Sequence, residues 1–562
     1  MMMRTRLLKM SRVSVLLANT RRRRSVRIDS PVYRLRAWWI LALPLVALGG
    51  PSLAQIAGPQ VTIGSGRVRG ARVAELPSGG AFLGIPYAAQ PIGDLRWRAT
   101  QLPPQWTGVR EATAWGPACP QTPSPWLPEM LGIGKMAIDE ACLYLNVWSP
   151  DLHAVKALPV LVWVHGGGNV EGSGEWPPLG VMLARTGVVV VSFNYRLGVF
   201  GFLAHPELDA ESKLHTSGNY SHLDQIAALT WVRRNIARFG GDPGRVTIAG
   251  QSSGSEDVCN LMASPLAAGL FRGAILESGT CVDSVFPLLH EEEMSGERLA
   301  KDLGVSAGPK ALQQLRAIPA DRVLETASND EKIDLEPNID GSVLPRQPAV
   351  TFARGSQARI PVMLGTTEDE VSIFASPLVG GHSYRPKTVA DYRAWLRREF
   401  SDFADEVFAS YPAGEEAQVP TVFRTMFSDY DFALSAWLLA KEMAQTGRPA
   451  YLYRFTYVGS GPFANLGAFH SEELMFLSGR YWTSWVPKAE DAQLSRTMVG
   501  YWAQFIKTGN PNTPSLPTWP AFDGGEACQE LGTRIGPEAV PRNERFEVFQ
   551  RFLASRRNKA GE

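Results

Sequence analysis

The sequence predicts an α/β fold, with a large, mostly parallel central sheet flanked by helices and helical insertions capping a site at the carboxyl edge of the strands. Three observations lead there. Apolar runs of the doubly buried strand type recur at residues 158–165, 187–195 and 273–279. Apolar residues at helical spacing separate them, most clearly over 223–239. A β-branched run, Val246 to Ile248, ends in Gly250-Gln-Ser-Ser-Gly254 and passes at once into a helical pattern from Ser255 to Met262. Strand, sharp turn and helix in that order is the context in which G-x-S-x-G holds a serine hydroxyl exposed at a sheet edge.

A chain of 562 residues is long enough for one α/β unit with long insertions, or for two or three domains. A hydrophobic content of 45% supplies a large core. The net charge of +1 gives no polyelectrolyte signal, so no nucleic-acid partner is expected. No period of 20–50 residues marks a solenoid.

The N-terminus reads as an export signal. Arg4, Arg6, Arg21 to Arg24, Arg34 and Arg36 form a long basic region. The apolar run 37–48 follows, about a dozen residues and too short to span a bilayer comfortably. Ser52-Leu-Ala54 then offers a small-x-small cleavage site before Gln55. We expect a cleaved signal over residues 1–54, with translation starting at Met1 or as late as Met10, and a mature protein that is periplasmic or extracellular with no stable membrane span. Export permits disulfides. The cysteines are Cys119, Cys142, Cys259, Cys281 and Cys528; their odd number leaves at least one free or paired between chains. None has C-x-x-C spacing, so no metal is expected.

The mature chain opens with alternation around glycine turns over 61–73, which predicts an antiparallel hairpin at a sheet edge. A strand pattern ends the stretch 139–148. The buried run 158–165 ends in His165-Gly-Gly-Gly168. Three glycines after a core strand let the backbone turn its N–H groups toward an oxygen that becomes negative when a hydroxyl adds to a carbonyl. A phosphate cradle is the other use of such a turn, but the lysine of a Walker sequence is absent. After the serine turn come a strand over 360–365, helices over 389–400 and 432–443, a strand over 449–455 and a helix over 494–508 stopped by Gly509-Asn-Pro511. The tail 556–562 is basic and expected to fray, leaving a single domain over 55–555.

These stretches together resemble the type-B carboxylesterases, the α/β-hydrolase family that includes para-nitrobenzyl esterases and the cholinesterases. The resemblance rests on Phe82-Leu-Gly-Ile-Pro-Tyr87, Cys142-Leu-Tyr-Leu-Asn-Val147, His165-Gly-Gly-Gly168, Gly250-Gln-Ser-Ser-Gly254, Gly365-Thr-Thr-Glu-Asp-Glu370 and Ala468-Phe-His-Ser-Glu-Glu473, in the family's order. It implies an α/β-hydrolase fold, no cofactor, a small-molecule ester as substrate, and a triad of Ser252, Glu370 and His470. The triad's chain order is Ser, Glu, His. Val371 stands where the family has glycine, and Glu368 and Asp369 are alternative carboxylates. The oxyanion donors implied are the N–H groups of Gly167, Gly168 and Ser253. Cys119 and Cys142 match the family's first disulfide; Cys259 could pair with Cys281, leaving Cys528 free.

The resemblance also implies ion pairs of Arg96 with Glu140 and of Arg196 with Asp224. Two departures stand out. Ala141 replaces an acid before Cys142, and Asn169 replaces an aromatic after the glycines, which predicts a more polar acyl side of the pocket. Trp126 does not match the spacing of the choline-stacking tryptophan, so a cholinesterase is not expected. Adhesion members of the family are non-catalytic binding proteins on the same fold, but those lose the serine that stands here. A lipase, carbamate hydrolase or amidase would use the same residues, because fold and triad do not choose the leaving group.

Overall fold

The computed structural model describes residues 58–122, 136–374, 376, 386–461, 463–481, 485–523, 527–541 and 543–559. The expected signal over 1–54 and Trp126 lie outside the described residues.

Thirteen strands are named here in chain order: β1 (Gln60–Ile63), β2 (Gly66–Arg69), β3 (Gly80–Pro86), β4 (Val109–Glu111), β5 (Tyr144–Ser149), β6 (Leu158–Val164), β7 (Val189–Phe193), β8 (Gly241–Gln251), β9 (Gly273–Glu277), β10 (Val362–Thr367), β11 (Ala450–Phe455), β12 (Ala527–Leu531) and β13 (Ile535–Ala539). Ten form one sheet in the order β13-β12-β11-β10-β9-β8-β6-β7-β5-β3. The run from β7 through β6, β8, β9, β10 and β11 to β12 is parallel. Both ends are antiparallel, at β3–β5–β7 and at β12–β13.

The apolar run of β6 explains why the sheet is buried on both faces. Side chains alternate across a strand, and Val160, Val162 and Val164 join one core while Leu161 and Trp163 join another. Helices α1 (Tyr220–Asn235) and α2 (Ser253–Ala263) cover the first face through Leu229, Val232, Val258 and Leu261. Two more helices follow, α3 (Val389–Phe400) and α4 (Leu434–Ala444). Helix α5 (Glu473–Ser478) and the long α6 (Ala489–Thr508) cover the second face through Phe476, Met498, Trp502 and Phe505. A parallel sheet sandwiched in this way places its working edge at the carboxyl ends of the strands.

Three expectations need correction. The hairpin of β1 and β2 is antiparallel as expected, but it does not edge the main sheet. It recruits β4 into a separate three-stranded sheet, touching β3 through the isolated bridge between Ala71 and Ala81. The helix expected over 223–239 starts three residues earlier and tightens into a 3₁₀ turn over Ile236–Phe239, ending at Gly240 with a left-handed φ of 80°. A last helix, α7 (Phe546–Lys559), runs on into the stretch expected to fray. Periodicity does not reveal the small sheet because β4 is only three residues long and alternates poorly.

Candidate active site

The site is assembled where four parallel strands end level. Val164 pairs with Gly250 across β6 and β8, Gln251 with Glu277 across β8 and β9, and Glu277 with Gly365 across β9 and β10. The turns that follow these positions carry His165-Gly-Gly-Gly168, Ser252 and Glu370.

Ser252 stands between β8 and α2 with φ 58° and ψ −132°. That conformation is sparsely populated for any residue with a side chain and is held only by surroundings that over-determine it. The surroundings are backbone: the Ser252 N–H donates to the Glu277 carbonyl at 2.8 Å, and its carbonyl accepts the N–H groups of Ser255 and Glu256. A Cβ on Gly250 would lie 2.3 Å from the Gly254 carbonyl oxygen, and one on Gly254 would lie 2.3 Å from that of Val164. The strand, the turn and the helix start therefore approach too closely for any other residue at these two positions.

On the other side of the serine, the Gly167 carbonyl is turned into the protein and accepts the N–H groups of Val170 and Glu171, both at 3.1 Å. Gly167 has φ 112°, and a Cβ there would collide with the Glu171 carbonyl at 2.2 Å. The turn lies beside the start of α2, where the Asn169 N–H meets the Ser253 hydroxyl at 3.1 Å; the first N–H of that helix belongs to Ser253 and has no intrahelical partner.

Glu370 begins a 3₁₀ turn, Glu370–Ser372, after β10. Its Oε1 accepts the Thr367 N–H at 2.8 Å, and its Oε2 lies 2.5 Å from Nδ1 of His470. The neighbouring carboxylates are engaged elsewhere. Glu368 pairs with Arg454 at 2.6 Å. Asp369 bridges to Phe469 and accepts the Ala468 N–H through Oδ2 at 3.2 Å. This bridge lies one residue before Glu370 on one loop and one before His470 on the other, which brings the two side chains face to face. Val371, at the position of the family's glycine, is buried, and its N–H meets the Ser428 hydroxyl at 3.4 Å.

With Nδ1 donating to a carboxylate, Nε2 of His470 carries the lone pair. The side-chain nitrogen of Gln251 lies 3.1 Å from it. The rings of Phe374 and Phe432 flank the imidazole at 5.0 and 5.2 Å. Phe432 comes from a π-helical turn, Asp429–Ala433, that leads into α4.

Beneath the histidine, Glu473 and Glu277 are fully buried. Burial pushes the Glu277 carboxyl up to about 8, against the opposing pull of the Trp502 N–H that donates to it at 2.8 Å. Burial, with Glu277 and Glu370 nearby, pushes Glu473 well above the usual carboxylate range. His165 stacks on Tyr195 at 4.2 Å, and burial lowers it to about 4, so it stays neutral beside the glycine turn. Among the described residues, no group of three or more His, Cys, Asp or Glu is arranged to hold a metal.

Cys119 is joined to Cys142, and Cys259 to Cys281; Cys528 is free and buried. Arg96 grips Glu140 with two hydrogen bonds of 2.6 and 2.5 Å, and Arg196 grips Asp224 at 2.7 and 2.8 Å. Glu140 thus supplies a carboxylate although Ala141 does not. Asn169, expected to make the acyl side of the pocket more polar, is half-buried. Its amide is turned toward Asp257 at 3.1 Å and lies 3.4 Å from the Tyr195 hydroxyl. Sequence reasoning missed Gln251 as a neighbour of the histidine, although its place directly before the serine was a sufficient signal. It also missed Phe374, which follows the Glu370 turn, and Phe432, which the structure places in the π-helical turn before α4, as neighbours of the histidine.

The sheet order, the strained serine turn and the His–Glu pair define an α/β-hydrolase. Residues 57–549 match the carboxylesterase family, and the chain belongs to that family. It is similar to the fumonisin B1 esterase of Sphingopyxis macrogoltabida, at 37% identity over 81% of this chain and 84% of the relative. It is also similar to the para-nitrobenzyl esterase of Bacillus subtilis (strain 168), at 36% identity over 78% of this chain and 88% of the relative. The solved structure of a thermophilic para-nitrobenzyl esterase superposes with a TM-score of 0.75 at 34% identity, covering 87% of this chain and 99% of that one. The protein is a carboxylic ester hydrolase acting on small-molecule esters.

Proposed function

We propose that the protein is an exported serine carboxylesterase that works through an acyl-enzyme on a Ser252–His470–Glu370 triad, in a single catalytic domain behind a signal of residues 1–54. The observation that supports the triad most is the 2.5 Å contact of Glu370 with Nδ1 of His470, which fixes the tautomer a general base needs. The two disulfides support export.

In this reading Nε2 of His470 takes the Ser252 proton as Oγ adds to the ester carbonyl carbon. The carbonyl electron pair moves onto oxygen, where the N–H groups of Gly167, Gly168 and Ser253 meet it. The intermediate collapses with loss of the alkoxide, which takes the proton from Nε2. A water then loses a proton to His470, its oxygen adds to the acyl carbon, and Ser252 leaves with the proton returned. Glu370 remains a carboxylate and stabilises the imidazolium throughout.

The test is hydrolysis of p-nitrophenyl esters of two to twelve carbons by the mature protein and by Ser252→Ala. Turnover should fall by at least about 10³-fold in the variant. Turnover preserved there would mean that another residue is the nucleophile.

A further inference from the structure

Asn169 follows the glycine turn with φ 58°, a left-handed conformation that asparagine tolerates better than most residues. Besides the contact of its Oδ1 with the Tyr195 hydroxyl, three hydrogen bonds hold it. Its N–H donates to the Ser253 hydroxyl at 3.1 Å, its carbonyl accepts the Gly198 N–H at 2.7 Å, and its Nδ2 donates to Oδ1 of Asp257 at 3.1 Å. Ser253 and Asp257 are four residues apart on α2, and so share a face. The turn that carries Gly167 and Gly168 is therefore tied at two points to the helix that carries the Ser253 N–H.

Asp257 is fully buried and outside the reacting residues. Its second oxygen accepts Nε2 of Gln225 at 2.6 Å, and Nε2 of His222 lies 3.3 Å from the first; both come from α1. Burying a carboxylate is costly unless its oxygens are satisfied. Here the satisfied carboxylate binds α1, α2 and the glycine turn into one rigid unit. Such rigidity matters at a site where a displacement of about 1 Å can cost on the order of 10²-fold in rate.

We infer that Asn169 and Asp257 form a clamp that sets the distance between the glycine turn and the first turn of α2, and that both are positioning residues for oxyanion stabilisation. The inference rests on the reading of Gly167, Gly168 and Ser253 as the oxyanion donors. It assigns a role to the asparagine that replaces an aromatic at this position: the side chain ties the turn to Asp257 of α2.

The test uses the full mature protein, p-nitrophenyl butyrate as substrate, and a trifluoromethyl ketone that forms a tetrahedral adduct with the serine. Asn169→Asp sets two carboxyls against each other; Asn169→Gly removes the tie without backbone strain. Both should lower kcat by about tenfold to a hundredfold with KM within about threefold, and weaken the ketone by the same factor as kcat. The exchanged pair, Asn169→Asp with Asp257→Asn, restores a donor facing an acceptor and should recover at least about tenfold of the loss in the first variant. If Asn169→Asp fails to fold, Asn169→Gly carries the test alone. Unchanged kcat and ketone affinity in a folded variant with a lowered melting temperature would overturn the inference, leaving Asn169 as a structural residue only. Preserved turnover in Ser252→Ala is a different failure: it would remove the triad reading, and the clamp with it.

Discussion

The side-chain nitrogen of Gln251 lies 3.1 Å from Nε2 of His470, on the lone pair that a general base must present to its serine. Gln251 is fully buried and is fixed there by being the residue directly before Ser252 at the end of β8. A neutral amide donor at this point favours the neutral imidazole, whereas a carboxylate would favour the imidazolium. Replacing Gln251 by Glu should move the acid limb of the kcat/KM profile upward by about one pH unit and depress turnover near pH 6. Profiles measured from pH 5 to 9 check this. Superimposable profiles would mean that the amide does not influence the base.

Glu370 faces Nδ1 of His470 at 2.5 Å while its other oxygen takes the Thr367 N–H. Glu370→Gln preserves size and the hydrogen bond to Thr367 but removes the charge that stabilises imidazolium. We expect kcat to fall on the order of 10⁴-fold with little change in KM. Glu368→Gln and Asp369→Asn should not reproduce this kinetic loss, since Glu368 is held by Arg454 and Asp369 by the backbone of the histidine loop. Steady-state kinetics on the three variants separates the carboxylates.

Glu277 predicts the pH dependence of stability. Burial raises its carboxyl from 4.5 to about 8, so between those values the folded protein holds a proton that the unfolded chain has released. Its contribution to stability is complete below about pH 4.5 and is lost as pH rises through about 8. Glu277→Gln keeps an oxygen for the Trp502 N–H but does not titrate. The drop in melting temperature from pH 6 to pH 8.5 should be smaller in this variant than in the parent. An equal drop would place the titration elsewhere; the remaining slope is expected from Glu473 beside it.

The Cys259–Cys281 bridge ties α2 to the loop after β9, with a sequence separation of 22. Replacing both cysteines by alanine should cost about 3 kcal/mol of stability. The shift in the urea midpoint measures it, with kcat of the folded variant within about threefold of the parent.

Much of the site was legible in the sequence because its parts are local. The turn at Ser252 reads from five consecutive residues, since only glycine fits at Gly250 and Gly254, where a Cβ would lie 2.3 Å from a carbonyl oxygen. The strands of the sheet centre read from continuous apolar runs because they are covered on both faces. What escaped was set by tertiary contact. Asn169 looked like a pocket residue from its place in the chain, but its side chain turns toward a buried carboxylate 88 residues later. Phe432 reaches His470 only through a π-helical turn, whose one extra residue leaves no periodic trace. The pairing of β4 with β2, from distant stretches, could not be read from three residues of poor alternation.

The central claim is that Ser252 is the nucleophile, and covalent trapping tests it most directly. The mature protein is treated with a fluorophosphonate, its intact mass measured, and the label located by peptide mapping. We predict one adduct per chain, carried on Ser252 within Gly250-Gln-Ser-Ser-Gly254, and none on Ser252→Ala. Label on a different residue with loss of activity, or an equal adduct on Ser252→Ala, would contradict the account.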